Sequence, residues 1–124
     1  MTDTEILQLL IYCTNTAKEQ GYKLVGRTKM TITWDYQKNR WVSPDNSCSC
    51  LEAVLLIGQR IPDLTLSRSD DLLISTLSNL FNKPAKWVSS FLLGYSGESN
   101  SSTSISGYVM GSNLRAHFPP DNKG

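Results

Sequence analysis

The amino-acid sequence predicts an α+β fold: a small antiparallel β-hairpin or three-stranded sheet packed by about five helices. Three observations lead there. Apolar residues recur at helical spacing near the N-terminus and through the C-terminal half. Between them, residues 22–43 are rich in β-branched and aromatic side chains that alternate with polar ones. Strand and helix patterns do not alternate along the chain, so a parallel α/β sheet is not expected and the helices should cover one face of the sheet.

The first helix is expected over residues 3–20. Thr2-Asp-Thr-Glu5 has capping-box spacing, in which the hydroxyl accepts an amide hydrogen and the glutamate reaches back to the cap. Ile6, Leu7, Leu9, Leu10, Cys13 and Ala17 approximate a helical stripe with Cys13 on its inner side, and Gly21 is a natural stop. Residues 22–25 and 30–34 read as strands, 35–39 as a polar turn and 40–43 as the return strand; 22–26 could add a third antiparallel strand, and 44–46 should end the sheet.

Ser49-Cys-Leu-Glu52 repeats the capping-box spacing and opens a helix over 51–57 that is apolar nearly all round, hence buried, with Gly58 as its stop. A link over 61–66 leads to a capping pattern at Ser67–Asp70 and an amphipathic helix carrying Leu72, Leu73, Leu77, Leu80 and Phe81. Pro84 suits the first turn of the next helix, which carries Trp87, Val88, Phe91 and Leu92 and should stop at Gly94. The last helix is expected from about Ser104 to His117, ended by Pro119 and Pro120. The Ser-rich stretch 98–106 separates the last two helices, and there is no internal repeat.

A chain of 124 residues, 40% hydrophobic and 19% charged, can build one self-sufficient core, here over 1–120 with 121–124 as a frayed tail. The net charge is +1, and the basic residues fall in scattered groups: Lys23, Arg27 and Lys29; Lys38 and Arg40; Lys83 and Lys86; Arg115. Nucleic-acid binders concentrate such charge in a stripe, so nucleic acid is not the expected partner. The apolar run 6–11 is far too short to span a bilayer, so no membrane role is expected. The three cysteines are odd in number and no basic leader precedes them, which points to free thiols and a cytoplasmic location.

Candidate chemistry is sparse. Cys50, next to Cys48, falls at a helix start, where free amides and the helix dipole would favour a thiolate. A nucleophile there would need a base, and His117 is the one histidine. The competing reading is a small buried residue at a helix start. Cys48, Cys50 and His117 fall short of a zinc signature, which asks for four ligands and wider cysteine spacing, so no metal is assigned. Asp70, Asp71 and Glu52 sit where acids cap helices. No phosphate-cradling glycine loop and no Gly-x-Ser-x-Gly elbow exist, so no cofactor is assigned.

Candidate binding residues form two groups. Trp34, Tyr36 and Trp41 surround the hairpin tip with Lys38 and Arg40 between them; exposed, they would anchor a partner, and otherwise the two tryptophans pair across the hairpin. Tyr95, Ser102 and Ser104 border the polar loop, where the start of the last helix could hold a small anion. Gly107 and Gly111 share a helical face that admits close backbone approach, inside the protein or between two copies of it.

Three patterns carry a family resemblance: Cys50 before Leu51-x-Ala-Val-Leu-Leu-x-Gly58; Trp87-x-x-x-Phe91-x-x-Gly94-Tyr95-x-Gly97; and Tyr108-x-x-Gly111-x-x-Leu114-Arg115. The set resembles small uncharacterised proteins of bacteria, including cyanobacteria, and of their phages. That family is expected to carry aromatic-Asp-Gly where this chain has Tyr95-Ser96-Gly97. The resemblance implies no known activity and assigns no catalytic residue.

The expected function is that of a small cytosolic accessory or regulatory protein that binds another macromolecule, above all a protein, without catalysis of its own. The alternatives are a thiol-dependent enzyme or redox sensor on Cys50 or Cys48 with His117, and a binder of small anions in the region 94–111.

Overall fold

Both capping boxes form in the computed structural model, which describes residues 1–64, 66 and 73–121. Thr2 accepts the Glu5 amide at 3.2 Å and Glu5 accepts the Thr2 amide at 2.9 Å, opening α1 (Asp3–Glu19). Ser49 and Glu52 open α2 (Cys50–Gly58) in the same way, at 3.2 Å and 2.8 Å. Ile6, Leu10, Cys13 and Ala17 form the buried stripe of α1, which packs on α2. Every residue of α2 is buried, as a helix apolar all round requires. The remaining elements are built around it.

The fold is α+β and rich in helix, but its strands pair differently from the expectation. β2 (Thr33–Asp35) and β3 (Arg40–Val42) form the antiparallel hairpin, with Trp34 opposite Trp41. The segment around residues 22–25 does not extend that hairpin. Its strand, β1 (Lys23–Leu24), pairs in parallel with β4 (Ser47–Cys48), a strand the sequence reading ended before. Two local causes explain the difference. The amides of Thr31 and Ile32, which a longer sheet would use, are accepted by the Glu52 carboxylate at 2.9 Å and 3.0 Å. Residues 44–46 form a turn rather than an end: Asp45 accepts the Ser47 amide at 3.2 Å, and Asn46, at φ 58°, sends the chain alongside β1.

The next helix is α3 (Leu73–Phe81); the expected capping pattern at Ser67–Asp70, and Leu72 with it, lie outside the described residues. Lys83, after α3, reaches Asp3 of α1 at 2.7 Å. α4 (Ala85–Ser96) follows Pro84, which sits at the N-cap position just ahead of the first turn. α4 does not stop at Gly94. It runs one half-turn further and ends at Gly97, whose φ of 81° suits glycine. Glu98 donates to the Leu93 carbonyl at 2.9 Å and Gly97 to that of Gly94 at 3.3 Å, the paired bonds of a Schellman cap.

α5 (Ile105–His117) lies against α4, the most extensive helix pairing of the fold. Asp121, beyond Pro119 and Pro120, donates its amide to Leu24 O at 2.7 Å and accepts the Leu24 amide at 3.1 Å; residues 122–124 of the expected tail lie outside the described residues. Among the described residues, no helix is long and apolar enough to cross a membrane.

Candidate functional site

The hairpin tip is set by its own side chains. Asp35 Oδ1 accepts the amides of Gln37 and Lys38 at 2.9 Å and 3.1 Å, and Asn39 takes the left-handed conformation that lets Arg40 start the return strand. Trp34 and Trp41 face each other edge-on, with ring centroids 5.5 Å apart at 82°. The cross-strand pairing is therefore real, and it leaves Trp41 buried and Trp34 half-buried. Tyr36 is 71% exposed at the tip.

Gln59, at the C-terminal end of α2, locks this hairpin to the core. Its side-chain oxygen accepts the Trp41 amide at 2.7 Å and its NH₂ donates to the Trp41 carbonyl at 2.8 Å. One amide side chain thus pairs with both backbone groups of Trp41, as a neighbouring strand would. The outer edge of β3 is closed at that residue.

Two hollows border Trp41. One, of about 290 Å³, is lined by Trp34, Asn39, Arg40, Trp41, Gln59, Arg60, Leu64 and Leu66. The other, of about 220 Å³, is lined by Tyr22, Lys38, Arg40, Trp41, Val42, Ser43 and Arg60. Arg40, Trp41 and Arg60 line both. The structure thus brings Trp34, Trp41 and Arg40 together, whereas Tyr36 lines neither hollow. Gln59 and Arg60 complete the site. Neither carries a sequence signal linking it to Trp41, since both follow the helix stop as ordinary polar residues.

The thiols are arranged for packing. Cys48 and Cys50 are fully buried, and Cys50 Sγ lies 2.9 Å from Thr14 Oγ1. Cys50 does occupy the first position of α2, but burial outweighs the helix dipole and pushes its thiol up to about 12. Burial, reinforced by the Glu52 carboxylate, pushes Cys48 up to about 12 as well. His117 is exposed, with its ring edge-on to Phe118 at 4.7 Å. Among the described residues it bonds to neither thiol, and no group of three or more His, Cys, Asp or Glu could hold a metal ion.

The C-terminal candidates are turned inward. Tyr95 is fully buried, and its hydroxyl donates to the Phe118 carbonyl at 3.0 Å, so it presents no binding surface. The Ser104 amide donates to Ser90 Oγ at 3.0 Å, and Ser90 donates to Asn100 Oδ1 at 2.9 Å. The same Asn100 oxygen accepts the Thr103 amide at 3.1 Å. Two amides expected to await an anion are therefore engaged by the protein itself. Tyr108 adds a bond to the Glu98 carbonyl at 2.7 Å, so the polar loop is fastened at several points. Ser102 borders a hollow of about 200 Å³ that no charged residue lines among the described residues.

Gly107 and Gly111 serve the protein's own interior. A methyl group at Gly107 would fall inside 3.0 Å of the Trp87 carbonyl oxygen, and one at Gly111 inside 3.0 Å of the Phe91 carbonyl oxygen. Gly94 meets the Tyr108 carbonyl in the same manner, which is why a glycine stands mid-helix in α4. Of the two uses expected of this face, inside the protein or between two copies, the structure shows the internal one, with α4 packed on it.

Comparison of the chain with protein-family models, with curated proteins and with solved structures returns no match.

Proposed function

We propose that this protein is a binding module that docks a partner protein on the hairpin face around Trp41, Arg40 and Arg60. One observation carries the reading: two hollows share these three residues, on a hairpin whose backbone is bolted to the central helix by Gln59. Rigid support under an aromatic and two arginines is the composition that concentrates binding energy at protein interfaces. The three unpaired, buried cysteines suit a reducing compartment, in keeping with a cytosolic protein. With the Gly107 and Gly111 face used internally, the partner is a different protein rather than a second copy joined there.

The test is site-specific photo-crosslinking in the native host. A photoreactive residue replacing Lys38, exposed beside the second hollow, should capture a partner that the same residue at Gln8 on the outer side of α1 does not. Arg60→Glu should abolish the capture. Equal capture from Gln8, or none from Lys38, would refute the reading.

A further inference from the structure

We infer that the partner presents an acidic polypeptide segment to this face, with carboxylates on Arg40 and Arg60 and an apolar side chain between Trp41 and Leu64. The inference rests on the binding-module reading and specifies its partner.

Charge is the first argument. Lys38, Arg40 and Arg60 line the two hollows, and among the described residues no Asp or Glu lines either. All three are exposed. Two other cations of this protein, by contrast, meet carboxylates: Arg27 holds Glu52 at 3.0 Å and Lys83 holds Asp3 at 2.7 Å. Arg60 instead donates to the neutral Gln20 side chain at 2.6 Å, and the Arg40 and Lys38 side chains have no hydrogen bond or ion pair among the described residues. An arginine fork matches a carboxylate in shape as well as in charge.

Shape is the second. At about 290 Å³ and 220 Å³ the hollows fall at or below the low end of small-molecule pockets, about 300 Å³, so each accepts a side chain rather than a whole metabolite. Trp41, Leu64 and Leu66 give the first an apolar lining beside its cations. Gln59 occupies the backbone groups of Trp41, so a partner cannot add there as a further strand and must engage through side chains. Nucleic acid fits less well. Its affinity comes from neutralising many phosphates in a row, and three cations on a chain of net charge +1 make a short row.

The experiment is fluorescence anisotropy of the purified full chain with three labelled probes: a peptide alternating Glu and Leu, the same peptide with Gln for Glu, and an oligothymidylate. The acidic peptide should bind saturably and more weakly as salt rises. Arg40→Glu and Arg60→Glu should each weaken it by about tenfold or more, while Lys86→Glu, away from both hollows, leaves it unchanged. Circular dichroism confirms that the variants fold. Equal binding of the Gln peptide would overturn the acidic class, and tighter binding of the oligothymidylate would replace it with nucleic acid. If no probe binds while the Lys38 cross-link still captures a protein, the acidic inference falls and the binding module stands. If both fail, both fall.

Discussion

The Arg27 guanidinium stands 3.0 Å from the Glu52 carboxylate, and both side chains are buried. Glu52 is 1% exposed and accepts five hydrogen bonds: two from Arg27 and one each from the amides of Ser49, Thr31 and Ile32. Arg27 in turn donates to Ser47 at 3.2 Å and to Thr31. A buried ion pair repays its desolvation only when its remaining lone pairs and protons are satisfied in this way. The glutamate that caps α2 therefore also fixes the chain between β1 and β2, and through Ser47 it fixes β4.

Glu52→Ala should destabilise the protein by about 3–5 kcal/mol, because it strands a buried guanidinium and three amides. Arg27→Met should cost less, since the carboxylate keeps its three amide donors. Urea denaturation checks the order, and equal losses for the two variants would contradict it. Folded domains have only about 5–15 kcal/mol to lose, so Glu52→Ala should be close to unfolding.

The buried thiols give the protein an alkaline limit. Cys13, Cys48 and Cys50 have an ordinary value of 9.0 that burial raises to about 12. Below pH 9 the thiols are protonated folded or unfolded, and their contribution is fully present. Between pH 9 and 12 the unfolded chain releases protons that the folded chain retains, so stability falls, by up to about 1.4 kcal/mol per pH unit for each thiol. Urea midpoints measured across that window should drop, and the Cys13→Ala variant should drop less steeply. A profile that stays flat above pH 9 would show the thiols to be solvated.

At neutral pH the same burial should make the thiols unreactive. Alkylation by iodoacetamide should be slow in buffer and complete on adding denaturant. Fast labelling of Cys48 or Cys50 in the native protein would revive thiol chemistry as a function.

The glycines separate close packing from local convenience. Gly111→Ala gains about 1 kcal/mol of helix propensity but must push the Phe91 carbonyl aside, and backbone does not yield, so a net loss of about 1–3 kcal/mol is expected. Gly58→Ala meets only the end of the Leu64 side chain, a flexible neighbour, and should be nearly neutral. Thermal unfolding of the two variants tests this, and similar shifts would mean that α4 and α5 are not locked through their glycines.

What could be read from sequence was what neighbours in sequence decide. The Thr2 and Ser49 capping boxes involve residues three apart, and the hairpin needs only the turn at Asp35 and the alternation around it. What could not be read depended on distant partners. Gly94 has the same local meaning whether it stops a helix or admits one, and Tyr108, fourteen residues on, decides which. The parallel pairing of Leu24 with Cys48 follows from Arg27 and the amides after it turning to Glu52, which no strand pattern announces. The candidate site divides along the same line. Trp41 and Arg40 are visible as a patch, whereas Gln59 and Arg60 arrive from the end of another helix.

Gln59 offers the last test, because its role is confined to one residue's backbone. Gln59→Leu keeps comparable volume and removes the partners of the Trp41 amide and carbonyl at once. Leaving such groups unpaired costs about 1–3 kcal/mol, and here it should also free the outer edge of β3. Two signatures are expected beyond lower stability. The Trp41 amide hydrogen, protected by the Gln59 oxygen, should exchange much faster in the variant, while amides inside α2 should change only by the global loss. The variant should also self-associate at higher concentration, seen in sedimentation velocity, as the open edge becomes available for pairing. Unchanged exchange at Trp41 would show that the hairpin is held by its tryptophan pair alone, and that Gln59 is incidental to the site.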